Sequence, residues 1–123
     1  MQSPFLLLAA LSGAVGVALG AFGAHALKAH VSPEQISTFT TGVQYQMYHA
    51  LALGLVGLAM TRPNASALVP AAGWLFVIGT LLFSGSLYAL VLARIRWLGA
   101  ITPFGGVALI AGWLTLAMGT LQG

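Results

Sequence analysis

The sequence predicts an all-α integral membrane protein, a bundle of four transmembrane helices, and three observations carry that prediction. Of 123 residues, 59% are hydrophobic and only 4% charged, with a mean hydropathy of +1.00. A soluble domain has about a quarter of its residues charged. The apolar residues gather into four long runs, and the charges (Lys28, Glu34, Arg62, Arg94 and Arg96) all fall between or at the ends of those runs. There is no cysteine, which excludes disulfides, thiolate catalysis and cysteine-based zinc sites. By length the chain is a single domain over residues 1–123.

Span one is expected over residues 4–27, about 24 residues without a formal charge, enough to cross a hydrocarbon core of roughly 30 Å. Ala24-His25-Ala26 has the shape of a signal-peptidase site. The residues before it hold no Lys or Arg, however, and the apolar run exceeds the usual ~7–15 residues, so a retained span is the expectation. Ala9, Gly13, Gly16, Gly20 and Ala24 fall in a narrow arc that lets another helix backbone come close.

After a short turn, span two is expected over 33–60. At about 28 residues, roughly 42 Å, it is longer than the hydrocarbon core is thick, so its first turns should sit at or beyond the interface. Ser32, Pro33 and Gln35 spell a capping box with proline at the first helical position. Projected at 100° per residue, Glu34, Thr38, Thr41, Tyr45, Tyr48 and His49 share one side, and Ile36, Phe39, Val43, Met47 and Ala50 the other. This amphipathic stretch carries most of the side chains able to do chemistry. Arg62-Pro63-Asn64 breaks the pattern.

Span three is expected over 68–93, with Pro70 near its first turn and Trp74 at interfacial depth. Its Thr80, Ser84 and Tyr88 recur at four-residue spacing on one face. Arg94, Arg96 and Trp97 make a basic, aromatic loop. Span four is expected over 103–121, where Gly105, Gly112 and Gly119 recur every seven residues as a second small-residue stripe. Three Lys or Arg in the first and third loops against one in the second bias the former to the cytoplasm and both termini outside, a margin of two charges that leaves dual or inverted insertion as the alternative.

Antiparallel pairing brings the polar residues of spans two and three to one level. The expected polar layer comprises Thr41, Gln44, Tyr45, Tyr48, His49, Ser84 and Tyr88, with His49 its proton-responsive member. Its expected entrance, on the face of loops one and three, comprises His25, Lys28, Arg94, Arg96, Thr102, Gly105 and Gly106, the two glycines offering backbone amides. One reading of the layer is interhelical hydrogen bonding, the other a small polar site.

His25 and His49 are too far apart along the axis for one metal, and no cofactor motif is present. Glu34 lies about 22 Å from His49 along one helix, so these residues and Ser84 do not form a triad, and the chain is not expected to be an enzyme. No basic stripe marks a nucleic-acid interface.

Four blocks resemble a known family. Gly20-Ala-Phe-Gly-Ala-His25-Ala, Gln44-Tyr-Gln-Met-Tyr-His49-Ala, Leu82-Phe-Ser-Gly-Ser-Leu-Tyr88 and Thr102-Pro-Phe-Gly-Gly106 look like those of the bacterial membrane family catalogued as domain of unknown function 423, to which transmembrane protein 256 of animals is similar. The blocks occur in order and span nearly the whole chain. The resemblance implies a small bacterial inner-membrane protein with several helices; it implies no reaction and lends no residue a role.

The expected function is that of a multi-pass subunit of the cell inner membrane, structural or lipid-associated. Its partners would be the lipid bilayer and further copies of itself, the homo-oligomer forming through its glycine-rich helix faces. The alternative is a small-solute or ion carrier or channel, its polar site between spans two and three opening to the face of loops one and three. Four spans are few for a solitary carrier, and the two halves show no repeat.

Overall fold

A computed structural model describes residues 3–122; Met1, Gln2 and Gly123 of the expected domain lie outside the described residues. Four helices follow one another: α1 (Phe5–Ala24), α2 (Pro33–Ala59), α3 (Leu68–Leu92) and α4 (Thr102–Gln122). Short 3-10 turns at Ala26–Ala29 and Arg96–Ala100 precede α2 and α4. No strand occurs among the described residues. Three segments are long and apolar enough to cross a membrane, Phe5–Ala29, Leu68–Leu92 and Arg96–Gln122. The second helix is long enough but more polar.

The helix ends have local causes. Ser32 Oγ accepts the Gln35 amide at 3.2 Å while Gln35 Oε1 accepts the Ser32 amide at 3.0 Å, so the capping box forms as the sequence predicts. α1 stops earlier than expected because residues 26–29 tighten into a 3-10 turn. That turn drives Leu27 inward against Phe39 and Val91. Past the end of α3, Arg94 adopts a left-handed backbone (φ 58°), a helix-terminating conformation that glycine usually takes.

Each helix runs antiparallel to the one before it and packs mainly on its sequence neighbours. Both glycine stripes are used inside the chain. On the first, Gly16 faces Met47 and Gly20 faces Val43, both on α2, and Gly13 faces nothing; Gly23, next to the stripe's Ala24, faces Phe39. On the second, Gly105 lies so close to α3 that a Cβ there would fall on the backbone of Phe83. Gly112 meets Phe76, and Gly119 meets Val69, in the same seam. Close helix approach within the chain thus uses most of both stripes, Gly13 being the member left open.

The buried line of α2 corrects the projection. Phe39, Gly42, Gln46, His49, Ala50, Leu53, Val56 and Gly57 are buried, whereas Ser37, Thr40, Gln44, Tyr48, Leu51, Leu55 and Leu58 form the exposed stripe. The inside–outside axis of α2 is thus turned about a quarter turn from its polar–apolar axis. Its apolar side meets α1 and its polar side faces α4. A core of Phe5, Leu53, Val56, Val69, Ala72, Phe76 and Leu109 closes the end of the bundle that holds the termini.

Candidate functional site

The expected polar layer divides across α2. On the flank toward α1 and α3, Gln46 is 6% exposed and joins three helices. Its Nε2 donates to the Ser12 carbonyl at 2.8 Å, and its Oε1 accepts from the Tyr88 hydroxyl at 2.6 Å. Ser84, fully buried, donates to the Gly42 carbonyl at 2.7 Å, and Tyr88 lies against Phe39 and over Gly42. The spacing of Ser84 and Tyr88 thus pointed correctly to a seam with α2. Thr80 Oγ1, one turn further along α3, is buried without a hydrogen-bond partner among the described residues.

These residues floor a groove of ≈ 380 Å³ between α1 and α3, with Leu8, Leu11, Val15 and Leu19 as one wall and Val77, Leu81 and Gly85 as the other. Leu8 to Leu19 extends about 16 Å along α1, half the thickness of a hydrocarbon core. One turn before Leu8, Phe5 packs on Gly73 and edge-on to Trp74, ring centroids 5.1 Å apart. The rim residues Leu11, Val15 and Leu81 are exposed, so the groove opens sideways rather than toward a loop.

On the other flank, α2 and α4 pack together along almost none of their length. A second cleft of ≈ 550 Å³ lies there, lined by Tyr45, Tyr48 and His49 of α2, Phe83 of α3, and Gly106, Ile110 and Trp113 of α4. His49 is 4% exposed and bridges the gap. Its Nδ1 lies 2.7 Å from the Tyr45 carbonyl and its Nε2 accepts the Trp113 indole N–H at 3.0 Å. A carbonyl only accepts and an indole N–H only donates, so this arrangement fits a neutral imidazole with its proton on Nδ1. Both nitrogens of the residue expected to respond to protons are committed.

The remaining expected residues scatter. Thr41 bonds back to the Ser37 carbonyl, and Gln44 lies on the exposed stripe. His25, Lys28, Arg94 and Arg96 are exposed at one end of the bundle, where the helix directions also bring loops one and three. The Thr102 hydroxyl pairs with that of Ser86. The Gly105 amide bonds to the Ile101 carbonyl and the residue is buried, so the turn expected to offer free amides to an anion does not do so at Gly105. Only Gly106 of the expected entrance lines either of these two cavities.

Gln46 is the residue the sequence reading missed. It stands between the two arcs of the projection, and only the packing angle of α2 shows that this direction is the interior. Among the described residues, no three His, Asp or Glu side chains converge where a metal could sit.

Comparison with known proteins agrees with the four sequence blocks. The family described as "Protein of unknown function (DUF423)" matches residues 19–106. The UPF0382 membrane protein YwdK of Bacillus subtilis is 43% identical over 118 residues, covering 96% of each chain. The UPF0382 membrane protein SH2409 of Staphylococcus haemolyticus is 47% identical, covering 96% of this chain and 95% of its own. The UPF0382 inner membrane protein YgdD of Escherichia coli is 41% identical over 99% of this chain and 93% of its own. No solved structure matches. The chain belongs to the DUF423 family and is a multi-pass membrane protein.

Proposed function

We propose that this member of the DUF423 family crosses the membrane four times and serves as a lipid-associated structural subunit, holding one acyl chain in the groove between α1 and α3. The observation that carries the reading is the groove itself: ≈ 380 Å³, apolar along both walls and open sideways where lipid would be. Its length of about 16 Å suits the tail of a single leaflet.

Crossing by α2 is supported by its place between α1 and α3. Two helices that cross the bilayer would carry their partner through it. The polar groups that lower its hydropathy include Gln46 and His49, which are buried and bonded. Lys28, Arg94 and Arg96 share one end and suit anionic headgroups there, in the cytoplasmic leaflet by the cation count. A carrier is less well supported. Gln46, Ser84 and Tyr88 between α2 and α3 are hydrogen-bonded within the bundle, and the larger cavities open toward lipid. No reaction is assigned, and the glycine stripes lend a homo-oligomer little support, since most of their glycines pack within the chain.

Gly85 lines the groove and a Cβ there meets nothing within 4 Å, so Gly85→Leu fills the groove without disturbing the helices. Native mass spectrometry of protein released from nanodiscs is expected to show one retained phospholipid in the parent and none in Gly85→Leu. Equal retention by both proteins overturns the lipid-groove reading.

A further inference from the structure

The cleft between α2 and α4 is a different kind of cavity from the lipid groove. We infer that it binds a membrane-dissolved amphiphile whose polar part is a flat ring bearing carbonyl oxygens, the chemical class of the isoprenoid quinones. The inference rests on the proposal that α2 lies in the membrane but not on what occupies the α1–α3 groove.

Its walls are aromatic where those of the groove are aliphatic. Tyr45 packs on Phe83 with centroids 4.7 Å apart and edge-on to Tyr48 at 5.4 Å. His49 and Trp113 continue the wall with centroids 5.8 Å apart, and Phe76 backs Trp113 from the core at 4.9 Å. Rings at these separations present faces and edges on which a further planar ring stacks. The side-chain-free Gly106 on α4 leaves room opposite, and a volume of ≈ 550 Å³ is that of a small-molecule site.

Hydrogen bonding selects within that shape. Neither the Tyr45 nor the Tyr48 hydroxyl has a hydrogen bond among the described residues, and the two residues are 39% and 53% exposed. The imidazole and indole beside them satisfy each other, so the phenols are the free donors of the cleft. Phe83, against which Tyr45 packs, is about 13 Å from the end of α3. Tyrosines that serve as interfacial anchors sit at headgroup level, where water and lipid esters satisfy them. At this depth there is neither, and an unpaired hydroxyl is costly. A ligand that relieves the cost must carry its acceptor oxygens into the hydrocarbon region, which excludes phospholipid headgroups and their ester carbonyls. A ring with carbonyl oxygens and an apolar tail meets both demands, the tail leaving past the exposed Ile110.

The test uses the full chain in nanodiscs with Trp74→Phe and Trp97→Phe, both exposed positions, so that Trp113 alone fluoresces. A decyl-tailed benzoquinone is titrated as quencher, with a nitroxide-labelled phospholipid as a second one. Saturable quenching by the quinone is expected, weakened at least tenfold by Tyr45→Phe/Tyr48→Phe, which keeps both rings. Should that variant fail to fold, Gly106→Leu takes its place, since a Cβ at Gly106 is 3.8 Å from its nearest neighbour. Quenching that rises linearly with quinone, or saturation indifferent to the variants, overturns the inference, as does a particle mass of two copies that falls to one on Tyr→Phe substitution, because a second chain would then fill the cleft. Failure of the nitroxide lipid to quench Trp113 at all refutes the membrane placement as well. Quenching by the lipid without quinone saturation refutes only this site.

Discussion

The two flanks of α2 are built from the same helix and differ in almost every physical respect. Toward α1, glycines at 16, 20 and 23 let the backbones close up, and the one deep amide, Gln46, is bonded on both its groups. Toward α4, a single imidazole–indole bond spans a gap, and two phenols face it without partners. Polarity alone therefore does not mark a site in a membrane bundle. Gln46 is polar and serves packing, whereas Tyr45 and Tyr48 keep bonding capacity on the α4 flank, as Thr80 does in the groove.

The contrast can be broken by substitutions, graded by expected effect. The largest belongs to the close-packed flank. A Cβ at Gly57 would lie 2.7 Å from Leu6 Cγ and 3.1 Å from the Leu6 backbone nitrogen, so Gly57→Leu is expected to cost about 3 kcal/mol by overpacking. Reversible unfolding in mixed micelles reads this, and a loss below about 1 kcal/mol would mean that the α1–α2 seam yields easily.

Next comes Gln46→Leu, which removes two interhelical bonds. Such bonds average about 0.6 kcal/mol in membranes, so about 1 kcal/mol should be lost in the same assay. Trp113→Phe keeps a ring in the cleft but deletes the donor to His49, and about 0.6 kcal/mol is expected. If Trp113→Phe costs as much as Gly57→Leu, the α4 flank is as tightly integrated as the α1 flank and the contrast is lost. The smallest effect carries the opposite sign. Gly106→Ala meets only ordinary contact with Phe83 and should stabilise α4 by about 0.5 kcal/mol, because alanine loses less backbone entropy in a helix.

Much of this was legible in the sequence, for identifiable reasons. The capping box at Ser32 is a local pattern and formed as read. The ends of α2 and α3 follow from Pro33, Asn64 and the arginine-bearing loop, all within a few residues of the boundaries. The four-residue spacing of Ser84 and Tyr88 survives any packing angle, so their meeting with α2 could be foreseen. What could not be read was the rotation of α2 about its own axis. Amphipathicity in water separates inside from outside, but in a bilayer the outside is also apolar, and the projection instead separated two neighbours. That misreading merged His49 with Ser84 into one layer and hid Gln46. The glycine stripes carry no label for their partner, so the sequence alone did not show that Gly16, Gly20, Gly105, Gly112 and Gly119 pack against helices of the same chain.

The proposed crossing of the membrane by α2 underlies the reading of both flanks, and it can be measured directly. The chain has no cysteine, so single cysteines can be placed along the exposed stripe at Ser37, Thr40, Gln44, Tyr48, Leu51, Leu55 and Leu58 without further changes. Labelling by a membrane-impermeant maleimide, in intact vesicles and after permeabilisation, is expected to reach Ser37 from one side of the membrane. From Gln44 through Leu55 it should fail under both conditions. Labelling of Gln44 and Tyr48 as fast as Ser37 would contradict it, placing α2 in water with only three helices crossing.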